Sequence, residues 1–171
     1  LFKVIYPLLN KIGVLWQIGT ITPSHEHFMT NLIRQKLFAA IDNLVAERKP
    51  GSKTFLLALP QWELHDIGLL VYNYLIRKNG HKAIFLGQGI PLEDVVSIIK
   101  QANPDAIITT FSSPTEKDDI INYLRELSRH FDGKPIFTSG LQMKDISGGL
   151  PKDVKKLATV IESRDKVLSR I

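Results

Sequence analysis

The residues best equipped for chemistry lie in one polar stretch, Gln61-Trp62-Glu63-Leu64-His65-Asp66-Ile67-Gly68. A neutral imidazole offers a nitrogen to a transition metal, and a carboxylate on the other ring nitrogen fixes tautomer and orientation. Glu63, two residues before His65 in extended backbone, is placed for that second task. Gly68 would let a bulky, flat ligand approach the start of the next helix. On its own, a His in a polar loop is usually just a loop His. Other candidates carry less. The chain has no cysteine, which removes disulfides, thiolate zinc sites and cysteine nucleophiles. Ser112-Ser113 has no partner base in sequence reach, so a nucleophile reading is poor. His25 and His27 point to opposite sides of a helix and would not chelate one ion together. His81 and His130 follow or end helices and read as structural. Gly87-Gln88-Gly89 follows a strand but lacks the third glycine and the helix start of a dinucleotide fingerprint.

The elements that must hold these residues fall into two kinds. Ile5, Leu8, Leu9, Ile12, Leu15 and Trp16 repeat at helical spacing, and the helix should end near Gly19. Thr22 is a natural N-cap and Pro23 suits the first helical position, where its missing N–H costs nothing. Phe28, Leu32, Leu37, Ala40, Ile41, Leu44 and Val45 carry this second helix to about Glu47. Two helices cannot bury two such stripes, so further helices upstream of Leu1, or a partner chain, are expected to cover them.

After the linker Lys49-Pro50-Gly51-Ser52 the pattern changes to alternating strands and helices. Strands are expected at Thr54–Leu59, Lys82–Leu86, Ala106–Thr110 and Pro135–Thr138, with a weak fifth at Leu157–Ile161. Helices are expected at Ile67–Lys78, Leu92–Gln101, Glu116–Arg129, Met143–Ser147 and Ser163–Arg170. Single helices between strands imply right-handed crossovers and a parallel sheet covered on both faces. The expected architecture is therefore a helical-bundle cap over residues 1–48, partly truncated at its N-terminus. An α/β domain over 53–171 follows, with a Rossmann-like or flavodoxin-like five-stranded parallel sheet. In such sheets ligands bind beyond the carboxyl ends of the strands, which is where Glu63 and His65 fall.

Composition sets broad bounds. With 44% hydrophobic residues in 171, there is ample material for a core. No apolar run is long enough to cross a bilayer, and no secretion signal is visible, so a cytoplasmic location is the default. The net charge of +5 is mild. Its densest basic segment, from Lys152 to Arg170, is interleaved with acidic residues and reads as a solvated face. Direct DNA reading by these residues is not expected.

Glu63-x-His65-x-x-Gly68 resembles the Asp-x-His-x-x-Gly signature of cobalamin-binding domains, in which the His is the lower axial cobalt ligand. The Glu-for-Asp form is that of cobalamin-dependent regulators. The resemblance places the family's Ser-x-Leu element on Thr110-Phe111-Ser112 and its Gly-Gly element on Ser139-Gly140, both lining the pocket for the nucleotide tail. Both matches are imperfect: Thr110 keeps a hydroxyl, and Ser139 adds a Cβ that would narrow the pocket. Gly87, in Leu86-Gly87-Gln88-Gly89-Ile90-Pro91, would belong to a loop at the corrin edge. Trp16, nine intervening residues and then Glu26-His27 resemble the tryptophan/glutamate-histidine motif of light-responsive, MerR-like repressors that use adenosylcobalamin. The indole would supply a broad apolar face and Glu26 an acceptor for sugar hydroxyls. His27 is a candidate for the upper axial position once the upper ligand is lost.

The resemblance implies a sensor, not an enzyme. Cobalamin, in its adenosyl form, would bind between cap and sheet and shift homo-oligomerisation. DNA would be bound by an N-terminal head domain outside this sequence. Two alternatives remain open at this stage: a corrinoid carrier of a methyltransferase or mutase, and a degenerate sensor that kept the fold and lost the corrinoid.

Overall fold

The computed structural model describes residues 5–44 and 50–157. The chain divides into two compact units, Leu1–Asn43 and Leu44–Ile171. No helix among the described residues is long and apolar enough to cross a membrane.

The first unit contains two helices in contact, α1 (Ile5–Gln17) and α2 (Pro23–Asp42). Between them Gly19 takes φ +71°, a conformation that a side chain would disfavour. Thr22 is extended and Pro23 opens α2, while the Thr22 backbone N–H donates to His25 Nδ1 at 3.3 Å. His25 is thus used to cap the helix. α2 ends at Asp42, short of the expected Glu47, with Asn43 as its C-cap and the Asn43 N–H making the last helical bond to the Ala39 carbonyl at 3.1 Å. Residues 45–47 lie outside the described residues. The expected stripe on α2 also divides. Ile33, Leu37 and Ile41, spaced by four, are buried, whereas Phe28, Leu32 and Phe38 are 64%, 39% and 45% exposed.

The second unit is a five-stranded, wholly parallel sheet in the order β2-β1-β3-β4-β5. Its strands are β1 (Thr54–Pro60), β2 (Lys82–Ile90), β3 (Ala106–Thr110), β4 (Ile136–Ser139) and β5 (Val154–Lys156). The connecting helices are α3 (Ile67–Lys78), α4 (Leu92–Ala102) and α5 (Lys117–Arg129), followed by a 3-10 turn at Gln142–Asp145. β1 and β3 are buried along almost their whole length, as the unbroken apolar runs demand. Alternate residues serve opposite faces. Leu56, Ala58, Ile107, Ile136 and Val154 meet Val95 and Ile99 of α4 and Ile120, Leu124 and Leu127 of α5. Right-handed crossovers put α3 on the other face, with Leu69, Leu70, Tyr72 and Ile76 buried.

Three expectations need correcting. β2 runs on to Ile90, so Gly87-Gln88-Gly89 is the bulged end of an edge strand and not a loop after it. Its pairing with β1 slips between Leu57 and Ala58, which the positive φ of Gly87 (+87°) and Gly89 (+72°) accommodates. The fifth strand lies at Val154–Lys156, three residues earlier than expected; residues 158–161 are outside the described residues. The expected helix at Met143–Ser147 is the short 3-10 turn at Gln142–Asp145. The expected helix at Ser163–Arg170 also falls outside the described residues.

Candidate functional site

The order of the sheet reverses at β1: the chain leaves it first toward β2 and then returns on its other side to β3. The loops after β1 and β3 therefore meet at the carboxyl edge, the topological switch point of an open α/β sheet. Glu63 lies at this meeting and is 1% exposed. A turn closed by its N–H on the Pro60 carbonyl (2.9 Å) folds it inward. Its Oε1 accepts from the His65 N–H at 2.9 Å, from His65 Nδ1 at 2.8 Å and from Ser113 Oγ at 2.7 Å. Its Oε2 accepts from the N–H groups of Ser112 (2.6 Å) and Ser113 (2.8 Å). Burial pushes this carboxyl's pKa up. The hydrogen bonds from the His65 side chain and from the Ser113, His65 and Ser112 N–H groups outweigh it and bring the value down to about 2.

The consequence for His65 is a fixed tautomer. With an ionised carboxylate at Nδ1 the proton resides there, and the nitrogen offered to a metal is Nε2. The side chain is 64% exposed, so the ring stands outward from a buried anchor. Ser113 Oγ lies 3.0 Å from the same Nδ1. A nucleophilic relay needs the hydroxyl and the carboxylate on opposite ring nitrogens. Here both sit on Nδ1, and the cluster positions an imidazole instead of activating a serine.

A second group of site residues lines the α3 face. Thr110 and Ser139 are register partners at the ends of β3 and β4, 3% exposed each. Ser139 Oγ accepts from Tyr72 of α3 at 3.1 Å, so its hydroxyl is tied to the helix that covers it. Thr110 Oγ1 is buried with no hydrogen-bond partner among the described residues. A Cβ at Gly68 would come only within 4.0 Å of Thr110 Cγ2, so the protein itself does not require glycine there. Gly140 is another matter. At φ +113°, its Cβ would fall 2.2 Å from the Phe111 carbonyl oxygen, and no side chain fits. Ser112 contributes its backbone N–H to Glu63 as described. Gly87 sits in the β2 bulge, where a Cβ would touch the Phe85 ring at 3.5 Å.

In the helical unit, Trp16 occupies the last turn of α1, and Glu26 and His27 the opening turns of α2. Glu26 Oε2 lies 3.5 Å from His27 Nδ1, and His27 is 74% exposed. Sequence reasoning missed Ser113 and Tyr72 as parts of the site. Ser113 is 50 residues from Glu63 and Tyr72 is 67 from Ser139, and no local pattern marks pairs so distant.

Comparison with known proteins bears out the resemblance read from the motifs. Residues 1–40 match the family described as B12 binding domain. The chain is 28% identical over 141 residues to the HTH-type transcriptional repressor CarH of Myxococcus xanthus, covering 81% of this chain and 46% of that protein. It is 23% identical over 124 residues to dimethylamine corrinoid protein 1 of Methanosarcina acetivorans, covering 69% of this chain and 57% of that one. Among solved structures, the monomethylamine corrinoid protein of Methanosarcina barkeri shares the fold with a TM-score of 0.73 at 15% identity, over 95% of this chain and 78% of that one. The chain spans about half the length of the curated relatives it matches.

Proposed function

We propose that this chain is the cobalamin-binding sensor region of a bacterial MerR-type regulator, with His65 as lower axial cobalt ligand. The observation that carries the reading is the Glu63 carboxylate. It is buried, ionised and held by five donor groups, and it presents an outward imidazole with its proton placed on Nδ1. The site residues suit the group in a second respect. Thr110 Oγ1 is a buried hydroxyl, unpartnered among the described residues, beside a glycine, Gly68, that the described packing does not require. Both fit a nucleotide tail that enters on the α3 face, where Ser139 and Gly140 form the adjoining wall.

Bound cobalamin supplies a cobalt centre whose upper ligand can be exchanged or lost. The protein's part is to orient and to report. Glu63 and Ser113 hold the His65 ring, and Thr110 and Ser139 supply hydroxyls to the tail. Trp16, Glu26 and His27 are assigned to the upper ligand, Trp16 by its apolar face and Glu26 by its acceptor oxygens. The ligand shifts self-association only through contacts that differ between the assembly states, and upper-ligand contacts are of that kind. DNA binding belongs to a head domain outside these residues. The reaction chemistry of the site is ligation and not turnover, and a cytoplasmic location suits such a regulator.

A corrinoid carrier of a methyltransferase is the second reading, favoured by the similarity to the dimethylamine corrinoid protein. Glu63 in place of Asp, and the Trp16-to-His27 spacing, favour the sensor. A degenerate sensor is the third. Adenosylcobalamin mixed with the chain in the dark and passed over a desalting column is expected to leave coloured protein whose size changes after illumination. His65→Ala should lose the spectrum of a nitrogen lower ligand and bind more weakly. Methyl transfer from the methylcobalamin-loaded chain in the presence of a partner enzyme supports the carrier, and colourless protein supports the degenerate domain. Wild-type spectrum and affinity in His65→Ala would exclude lower-axial ligation by this residue.

A further inference from the structure

On the α4/α5 face of the sheet's carboxyl edge lies an open cleft of about 990 Å³, lined by none of the residues assigned above to cobalamin. Four carboxylates line it, Glu93, Glu116, Asp119 and Glu126, with no lysine or arginine among the lining residues. Asp119 and Glu126 share one face of α5 by spacing, and Glu116 is its N-cap. In a chain of net charge +5 this is a local reversal of sign. Helix starts favour acidic side chains, which accounts for Glu93 and Asp119 in the first turns of α4 and α5. Glu126 pairs with Arg129. The Tyr123 ring belongs to the core and packs edge-on against Phe111, but the exposed Trp62 indole and the Tyr123 hydroxyl have no such explanation.

Tyr123, 5% exposed, lines the cleft with its hydroxyl buried and unpartnered among the described residues. Leaving such a group unsatisfied costs about 1–3 kcal/mol in a folded protein. Burial holds its pKa above the ordinary tyrosine range, so the hydroxyl stays neutral and keeps lone pairs for a donor. Trp62 packs edge-on against it, ring centroids 5.4 Å apart, yet is 41% exposed. Carboxylates, an accessible indole and a buried neutral acceptor together match one chemistry: a flat or slender organic cation with several N–H donors.

We propose that this cleft is a second ligand site, which takes an organic cation ending in a guanidinium or ammonium group. Asp119 and Glu116 meet its charge, Trp62 its face, and Tyr123 accepts one N–H. Ile90, Leu92 and Pro114 give the rest of the wall an apolar character for the chain that carries the cation. The cleft borders the loops that carry Glu63 and Ser113, through Trp62 and Pro114, and its test is made on the cobalamin-free chain. Two sources share the chemistry: a free small cation, or an arginine side chain from a second copy of this basic chain.

Agmatine, a guanidinium on a four-carbon amine, is the probe. In the 171-residue chain carrying Trp16→Phe, Trp62 is the single tryptophan and reports directly. Agmatine should change its fluorescence saturably, with a dissociation constant of about 1 mM or tighter. Glu116→Gln with Asp119→Asn should weaken binding roughly tenfold or more, and Tyr123→Phe several-fold with a melting midpoint no lower than that of the parent, since it removes an unsatisfied hydroxyl. Agmatine bound to a monomer identifies a free cation. Self-association that both agmatine and the double substitution dissolve identifies an arginine from a second copy. A change matched by sodium chloride at equal ionic strength, equal affinity in the double variant, or no saturable change overturns the site.

Discussion

The two units solve the same problem, burying apolar surface while presenting polar groups, in different ways. The sheet unit is nearly self-sufficient. β1 and β3 are covered on both faces, and Glu63, a charged group buried at its edge, accepts hydrogen bonds on both carboxylate oxygens. The helical unit is capped locally by Thr22 and His25 but leaves Val14, Ile18, Phe28 and Phe38 exposed. Glu26 and His27, proposed above for the upper ligand, meet only neighbours in sequence among the described residues. The lesson is that a site can be rigid where long-range contacts converge and loose where the chain supplies local ones alone.

Glycines give the sharpest test. Gly140→Ala forces a Cβ against the Phe111 carbonyl at a φ that side chains avoid. It should cost about 4 kcal/mol or prevent folding altogether. Gly13→Ala, in α1 with nothing within 4 Å of the added atom, should instead stabilise by about 0.5–1 kcal/mol. Denaturant melts of the two variants read both numbers, and a tolerated Gly140→Ala would erase the contrast.

Acid should expose the next largest difference. Glu63 titrates near 2 in the folded chain against 4.5 when unfolded. A lowered carboxyl pKa stabilises the fold above the unfolded value, and that contribution is lost as pH falls from about 4.5 through 2. About 3 kcal/mol should disappear across this window in the cobalamin-free chain. Glu63→Gln should flatten that part of the stability profile. An unchanged profile would mean that the carboxylate is not the paired anion described. The smallest effect is expected at Phe28: Phe28→Ser, at a position 64% exposed, should change the stability of the monomeric chain by no more than about 0.5 kcal/mol. A loss well beyond that would show that the face is covered in solution.

Much of the sheet unit was legible before any coordinates. Periodicity alone located β3 and α3 to the residue, because both are short, strongly patterned and bounded by turn signals. The Glu63-x-His65 pairing was legible too, since two residues in one loop need no tertiary help to meet. β2 was misjudged at its end because Gly87 and Gly89 read as punctuation, while pairing with β1 carries the strand through them in a bulge. The second helical stripe is legible as a face that two helices cannot cover alone, and Phe28, Leu32 and Phe38 do stay exposed; spacing does not say which of its residues the first helix covers.

Local chemistry, carried by neighbouring residues, determined the helix starts, the alternation of strands and helices, and the imidazole with its carboxylate. Tertiary structure decided what joins across the sheet: the Ser112 and Ser113 donors that keep Glu63 ionised, the Tyr72 hydroxyl on Ser139, and the absolute need for glycine at 140. The division has a simple physical origin. Backbone propensity and side-chain period act over a few residues. A buried charge or a crowded carbonyl is set by whatever the fold places next to it, and here those partners stand some 30 to 70 positions away.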